Sequence, residues 1–181
     1  MISESILQGA RVRLRPPQER DLPDFIRWVN DPEVRYWLAM SDAPELTMEK
    51  EREWFEGLRA DPDRVVWCIE AEGRPIGTLG LHEIDETLGR ATLGISIGEK
   101  DYWGRGYGRE AIRQALAYGL GELELRRIEL NADEDNARAI RCYERCGFQR
   151  EGLLRAYRLR NGQAVNGLVM SVLREEFEGQ P

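Results

Sequence analysis

The chain reads as a mixed α/β fold, with one mostly antiparallel sheet of six or seven strands and helices on both faces. Three observations lead there. Residues 65–71, 76–84 and 91–97 are strand-like, and they are joined by short turns at Gly73 and Leu88-Gly89, the pattern of antiparallel neighbours. A glycine-rich stretch, Tyr102-Trp103-Gly104-Arg105-Gly106-Tyr107-Gly108-Arg109-Glu110, follows the third of these strands and runs into a helical pattern. Late in the chain, Asn161-Gly162 separates two strand-like stretches, a strong hairpin signal. At 181 residues the chain is one domain, 1–181, large enough for a full core.

The elements follow in order. Val12-Arg13-Leu14-Arg15 is a first strand, ended by Pro16-Pro17. From Asp21 to Asn30, Leu22, Phe25, Ile26 and Val29 recur at helical spacing, and Asp31-Pro32 stops that helix. A short helical piece is expected from Glu33 to Leu38. Thr47 caps a helix that runs to about Ala60, with Trp54, Phe55 and Leu58 inward. The three central strands come next, and Gly94 suggests a bulge in the last of them. The glycine stretch leads to a helix with Ala111, Ile112, Ala115, Leu116 and Gly119 on one side. A strand at 126–132, a helix from Asn136 and strands near 153–160 and 168–173 complete the chain. The tail at 178–181 is expected to fray.

Strand, glycine loop, helix is a layout that converges backbone N–H groups on phosphate. A P-loop is excluded, because the loop ends Gly108-Arg109-Glu110 instead of Gly-Lys-Ser/Thr. A dinucleotide fingerprint begun at Gly104 fails at Arg109. Begun at Gly106, its looser form fits through Gly108 and Ala111, with Glu129 as the ribose acid. That fingerprint belongs near the start of a βαβ unit, however, and here hairpin strands precede it. A plain strand-to-helix turn remains the alternative for the glycines alone.

The next segment narrows the choice. Asp135 or Asn136 suits an N-cap, and Gly147 suits the position just past a helix C-terminus. Asn136 and Tyr143 are seven residues apart and share a helix face. With these residues in place the chain resembles the GNAT superfamily of acetyl-CoA-dependent N-acetyltransferases. Trp103-Gly104-Arg105-Gly106-Tyr107-Gly108 matches the family loop Arg/Gln-x-x-Gly-x-Gly/Ala except at its first position, and Asn136, Ala139, Tyr143, Gly147 and Phe148 match the second signature. The resemblance runs from Arg13 to Met170. Trp103 departs from it, standing where an Arg or Gln commonly helps hold the pyrophosphate; Arg105 and Arg109 offer charge instead. Trp at this place looks like the ribosomal-protein N-terminal alanine acetyltransferases. The segment 151–155 and the Asn161-Gly162 hairpin also resemble spermidine acetyltransferases, and the 136–148 helix resembles some aminoglycoside acetyltransferases.

The resemblance implies acetyl-CoA as cosubstrate and direct transfer to a primary amine: a protein N-terminus favoured, a polyamine or aminoglycoside otherwise. It implies that the strands at 91–97 and 126–132 splay apart to admit the pantetheine arm. Ile97, Gly98, Gly104, Arg105, Gly106, Tyr107, Gly108, Arg109 and Asn136 would then bind the cosubstrate. Tyr143 would protonate the leaving thiolate, with a core tyrosine as the plain alternative. Glu33, Tyr36, Trp37 and Glu83 would flank the amine. His82, in a strand, is read as wall or packing before base, and the base is unassigned. A homodimer is compatible with the family.

Composition sets the outer bounds. A net charge of −7 and a pI near 5.0 argue against a nucleic-acid partner and suit a cationic amine. Arg126-Arg127 and the arginines of 138–160 could still make a local basic face. Cys142 and Cys146 stand at i and i+4, but with His82 the single histidine they read as small buried side chains, not metal ligands. Met1 to Ser5 lack a signal pattern, and no apolar stretch reaches membrane-span length. A reduced, cytoplasmic enzyme is the expectation. The contrasting class is a CoA-binding regulatory protein without turnover.

Overall fold

A computed structural model describes residues 5–38, 40–58 and 60–178. The expected fraying beyond Glu178 and the reading of residues 1–4 lie outside the described residues. Eight strands form one sheet: β1 (Leu7–Gln8), β2 (Val12–Arg15), β3 (Val65–Ala71), β4 (Arg74–Asp85), β5 (Arg90–Ile97), β6 (Arg127–Asp133), β7 (Gln149–Arg160) and β8 (Gln163–Leu173). Their order is β1-β2-β3-β4-β5-β6-β8-β7. The seven expected strands are present, and the two-residue β1 is the eighth. Every neighbouring pair is antiparallel except β5–β6.

The helices are α1 (Leu22–Asn30), α2 (Pro32–Trp37), α3 (Met48–Gly57), α4 (Tyr107–Leu116), α5 (Ala137–Glu144) and α6 (Arg174–Glu178). Asp31 starts α2 by accepting the backbone N–H groups of Glu33 and Val34 at 2.9 and 3.2 Å. Thr47 caps α3 as expected, but the helix stops at Gly57, short of residue 60. On α1 the buried residues are Leu22, Phe25 and Trp28, while Ile26 and Val29 are only half-buried.

The period-2 alternation of strands builds two cores. Val65, Trp67, Ile69 and Ala71 of β3 face a larger core with Leu79, Leu81, Ile112 and Leu116. Val66 and Cys68 face a smaller one with Leu22, Phe25, Trp28, Phe55 and Leu58. Thus α4 covers one face of the sheet, and α1 and α3 cover the other.

Three features position the site. First, β5 and β6 pair only through Arg90↔Arg127, Ala91↔Ile128 and Thr92↔Glu129; beyond Thr92 the two strands separate. Second, the bulge expected at Gly94 is elsewhere. Gly94 pairs with Gly80 in regular register, and the irregularity falls between His82 and Asp85 of β4, where Glu83 has φ 52°. Third, β7 and β8 form a long hairpin whose turn residues Asn161 and Gly162 both have positive φ, 51° and 72°, the geometry of a two-residue turn that matches strand twist.

Candidate active site

Where β5 and β6 part, the sheet opens into a cleft of about 620 Å³. The residues on one wall are Leu93 to Ile97 of β5, and Asn131 to Asp133 of β6 stand opposite. Gly98 N–H donates to Ile76 O at 2.9 Å. Strand backbones alternate, so the N–H and C=O groups of Ile97 and Ile95 point the other way, into the gap. Trp103 Nε1 donates to the Ile97 carbonyl at 2.6 Å. Trp103 is therefore a strut that fixes the end of β5, and the Arg138 guanidinium stacks on its ring at 4.0 Å.

The glycine loop delivers the start of α4 to the same cleft. Gly106 is the N-cap residue with φ 88°, a left-handed conformation that glycine takes without strain. The first amides of a helix lack intrahelical partners and carry the positive end of its dipole. Gly104, Gly106, Gly108 and Arg109 line the cleft there. From outside, Glu110 accepts the backbone N–H groups of Arg11 and Val12 at 2.7 and 2.9 Å, and Arg11 donates to the Arg105 carbonyl at 3.1 Å. These bonds tie the helix start to β2.

Helix α5 forms the next wall. Asn136 is both its cap, accepting Ala139 N–H at 3.2 Å, and a cleft residue. Arg138, Arg141 and Arg145 line the cleft too; their i, i+3, i+7 spacing places them on one helix face. That spacing was a legible signal within the arginine-rich region. Partial desolvation beside the Trp103 ring holds the Arg138 guanidinium below its ordinary value. Tyr143 is half-buried against Phe148, with ring centres 5.9 Å apart, and it reaches the cleft. Burial, then Cys142, Cys146 and Asp133, push its phenol up, so it stays protonated. Cys146 is buried and Cys142 is half-buried at the cleft; both are free thiols.

Several expected residues fall elsewhere. The Gly98 N–H is already engaged, and a Cβ there would overlap the Trp28 indole, so Gly98 faces away from the cleft. The Tyr107 ring is buried with its hydroxyl donating to Glu72 at 3.1 Å. Arg105 lies outside, donating to the Asp101 carbonyl at 3.2 Å and stacking on Tyr102 and Tyr107. Arg109, not Arg105, brings charge to the cleft.

On the other side of the sheet, Val34, Trp37, Leu38, Tyr157 and Arg158 continue the cleft. Buried Asp133 accepts from Arg158 Nε at 2.6 Å and from Arg160 at 2.9 Å. Arg160 also binds Asp135, holding that carboxyl below the usual range, and stacks on Tyr36 at 4.2 Å and Trp37 at 5.4 Å. This cluster staples α2 to the β7–β8 hairpin. Tyr36 itself lines a separate cavity of about 300 Å³ with Glu134 and Asp135. Glu33 is outside the cleft, 3.3 Å from Lys100 Nζ. Glu83 is exposed and accepts from Thr92 at 2.9 Å. No group of three His, Cys, Asp or Glu is arranged to hold a metal ion among the described residues. None of the described helices is long and apolar enough to cross a membrane.

Comparison with known proteins places this arrangement. Residues 11–149 match the acetyltransferase (GNAT) domain family. A putative ribosomal N-acetyltransferase, YdaF of Bacillus subtilis, is 32% identical, with 99% of this chain and 100% of that protein covered. The spermidine N(1)-acetyltransferase of Escherichia coli is 29% identical over 92% of this chain and 88% of its own. The crystal structure of a Vibrio cholerae spermidine N-acetyltransferase in complex with CoA and spermine superposes with a TM-score of 0.87. It covers 94% of this chain and 100% of that one at 24% identity, a likeness of fold.

Proposed function

This chain belongs to the GNAT acetyltransferase family and is an N-acetyltransferase; we propose that it moves the acetyl group of acetyl-CoA directly to a primary amine, a protein N-terminus in the first place. The observation that carries this reading is the cleft itself. An unpaired β5 edge, a glycine-capped helix start and a row of arginines meet there with a protonated tyrosine.

The residues suit the parts of the cosubstrate. The backbone N–H groups at 104–109 would take the pyrophosphate, as helix starts do. Arg109, Arg138, Arg141 and Arg145 add positive charge around it. The unpaired N–H of Ile97 and carbonyl of Ile95, next to the loop, suit the pantetheine amides. Further along β5 from the loop, the unpaired N–H of Ile95 suits the oxyanion that develops on the acetyl carbonyl. Tyr143 would give its proton to the departing sulfur; its raised pKa keeps that proton on the phenol until the carbon–sulfur bond breaks. Acetyl-CoA supplies the activated thioester; the chain supplies binding, orientation and proton transfer.

A protein N-terminus is favoured by the charge of the acceptor side. Asp133 is neutralised by Arg158 and Arg160, and Glu33 by Lys100. A single terminal amine needs less negative charge than a polyamine, and the walls at Val34, Trp37, Leu38 and Tyr157 suit a peptide. One observation favours a polyamine as second reading: exposed Glu134 in the neighbouring 300 Å³ cavity, where Asp135 is already paired with Arg160. An acetyl-transfer screen over peptides with free N-termini, spermidine and an aminoglycoside, read by CoA release and product mass, separates them. Peptides with free N-termini are expected to be the best substrates. CoA binding with no product from any amine would replace the enzyme by a CoA-binding regulator.

A further inference from the structure

The face of the sheet toward α1 and α3 holds two glycines opposite one another. Gly80 pairs with Val66 on one side and Gly94 on the other. Cross-strand partners share a face, and Val66 belongs to the α1–α3 core. Gly80 and Gly94 therefore leave a trough in the sheet where two side chains would stand. Glycine inside a strand weakens it and marks a close approach. His82, two residues from Gly80 and so on the same face, leans into this trough. A Cβ on Gly80 would lie 2.7 Å from His82 Nε2, and one on Gly94 would lie 3.3 Å from the same atom. The imidazole tip thus sits over both backbones. Gly94 lines the cleft, as does Ser96, its next neighbour on this face, opposite Val34, Trp37 and Leu38. Gly94 is common to the trough and the cleft, so the His82 tip reaches the edge of the cleft across Gly94.

We propose that His82 Nε2 is the proton acceptor for the amine during acetyl transfer, an inference that rests on the acetyltransferase reading above. The amine nitrogen bonds to the acetyl carbon and the carbon–sulfur bond breaks. One amine proton passes to His82 Nε2, and the departing sulfur takes a proton from the Tyr143 hydroxyl. Exchange with water restores both side chains. The proton acceptor must be neutral before the step. Burial holds the ring below its ordinary value; Arg64 acts the same way, while Glu83 and Asp61 oppose it. A neutral ring with its proton on Nδ1 presents the Nε2 lone pair to the trough. Glu83, the nearest carboxylate in sequence, is exposed and held by Thr92.

His82 is the single histidine of the chain, so its ring can be followed without assignment. Imidazole ¹⁵N NMR of the full chain gives the titration of the free protein, of its CoA complex, and of that complex with a short alanine-starting peptide. The expected midpoint lies below the ordinary imidazole value and moves when the peptide joins CoA, but not with the same peptide already acetylated. The acid limb of kcat should follow this titration. His82→Gln should lower kcat by ~10²-fold, as loss of a general base does, remove that limb, and leave CoA affinity and thermal midpoint unchanged. Wild-type kcat with an intact acid limb in His82→Gln overturns the proposal. So does loss of kcat accompanied by loss of CoA affinity, which marks a structural role. If His82→Gln does not fold, a wild-type ring indifferent to the free peptide overturns it alone. Failure of the wild type to acetylate any amine would instead defeat the acetyltransferase reading, and the two failures are distinguishable.

Discussion

The two halves of the cleft are built by different means. On the half proposed for the cosubstrate, recognition would fall to backbone: the unpaired edge of β5, the Gly106 cap and the open amides of α4. On the half proposed for the acceptor it would fall to side chains brought together from distant segments, with Asp133 and Asp135 joined to Arg158 and Arg160, and Arg160 stacked on Tyr36 and Trp37. Backbone recognition demands glycines at fixed places and so leaves a motif in the sequence. Side-chain recognition can be met by many residue combinations and leaves none. The cosubstrate half should accordingly be brittle to single backbone changes, and the acceptor half should be graded.

The largest effect is expected at Gly106. Gly106→Val puts a β-branched residue at φ 88° with Arg11 Nη2 3.1 Å from its Cβ. Left-handed strain alone costs about 1–3 kcal/mol. CoA affinity measured by calorimetry should fall by at least ~10²-fold, the equivalent of about 2.7 kcal/mol. Gly104→Ala shares the positive φ but meets nothing within 4 Å, so its loss should be smaller. Equal CoA affinity in wild type and a folded Gly106→Val protein would break the contrast between the halves.

Next comes Tyr143→Phe, which keeps the packing on Phe148 and removes the hydroxyl. The expected fall in kcat is ~10²-fold with CoA affinity unchanged. An unaltered rate at saturating substrates would return Tyr143 to a packing role.

A middle-sized effect is expected on the acceptor half. Arg160→Met leaves buried Asp133 with Arg158 and removes the cation between Tyr36 and Asp135. Loss of a partner from a buried charge cluster should destabilise the fold by about 2–3 kcal/mol. The amine KM should rise several-fold while CoA affinity holds. A change in CoA affinity instead would show that the halves are not separable.

The smallest is Glu33→Gln. The carboxylate is 60% exposed and faces Lys100, so its pull on an amine is already offset and screened. The amine KM should move less than ~2-fold, and only at low ionic strength. A large, salt-sensitive rise would restore Glu33 to the acceptor site.

The same division explains what the sequence disclosed. Gly104 and Gly106 take positive φ, which few other residues adopt without strain, and with the Asn136–Tyr143 helical spacing they identified loop and helix. The splay of β5 from β6 was anticipated through the family resemblance and is present. The bulge was assigned to Gly94 because an interior glycine suggests one; its pairing with Gly80 and the overlying His82 ring are tertiary facts with no local signature. The early end of α3 at Gly57 follows from a residue that weakens helices. Arg105 was grouped with Arg109 by proximity, yet Arg105 lies before the left-handed Gly106 and turns outward, while Arg109 in α4 lines the cleft. The Arg160–Tyr36 stack joins residues far apart in the chain, and no pattern of spacing encodes such a meeting. Trp103, a departure from the family loop, became intelligible only through its bond to the Ile97 carbonyl.

The division itself can be read in one titration. Backbone ¹H–¹⁵N spectra of the full chain, recorded with CoA and then with a short alanine-starting peptide, report each half separately. The account predicts that CoA moves the amides of Gly104 to Arg109 with those of Ile95 and Ile97, and that the peptide then moves those of Val34 to Leu38 and Gly94. CoA-induced shifts confined to Val34–Leu38, with the amides of Gly104 to Arg109 unmoved at saturation, would contradict it.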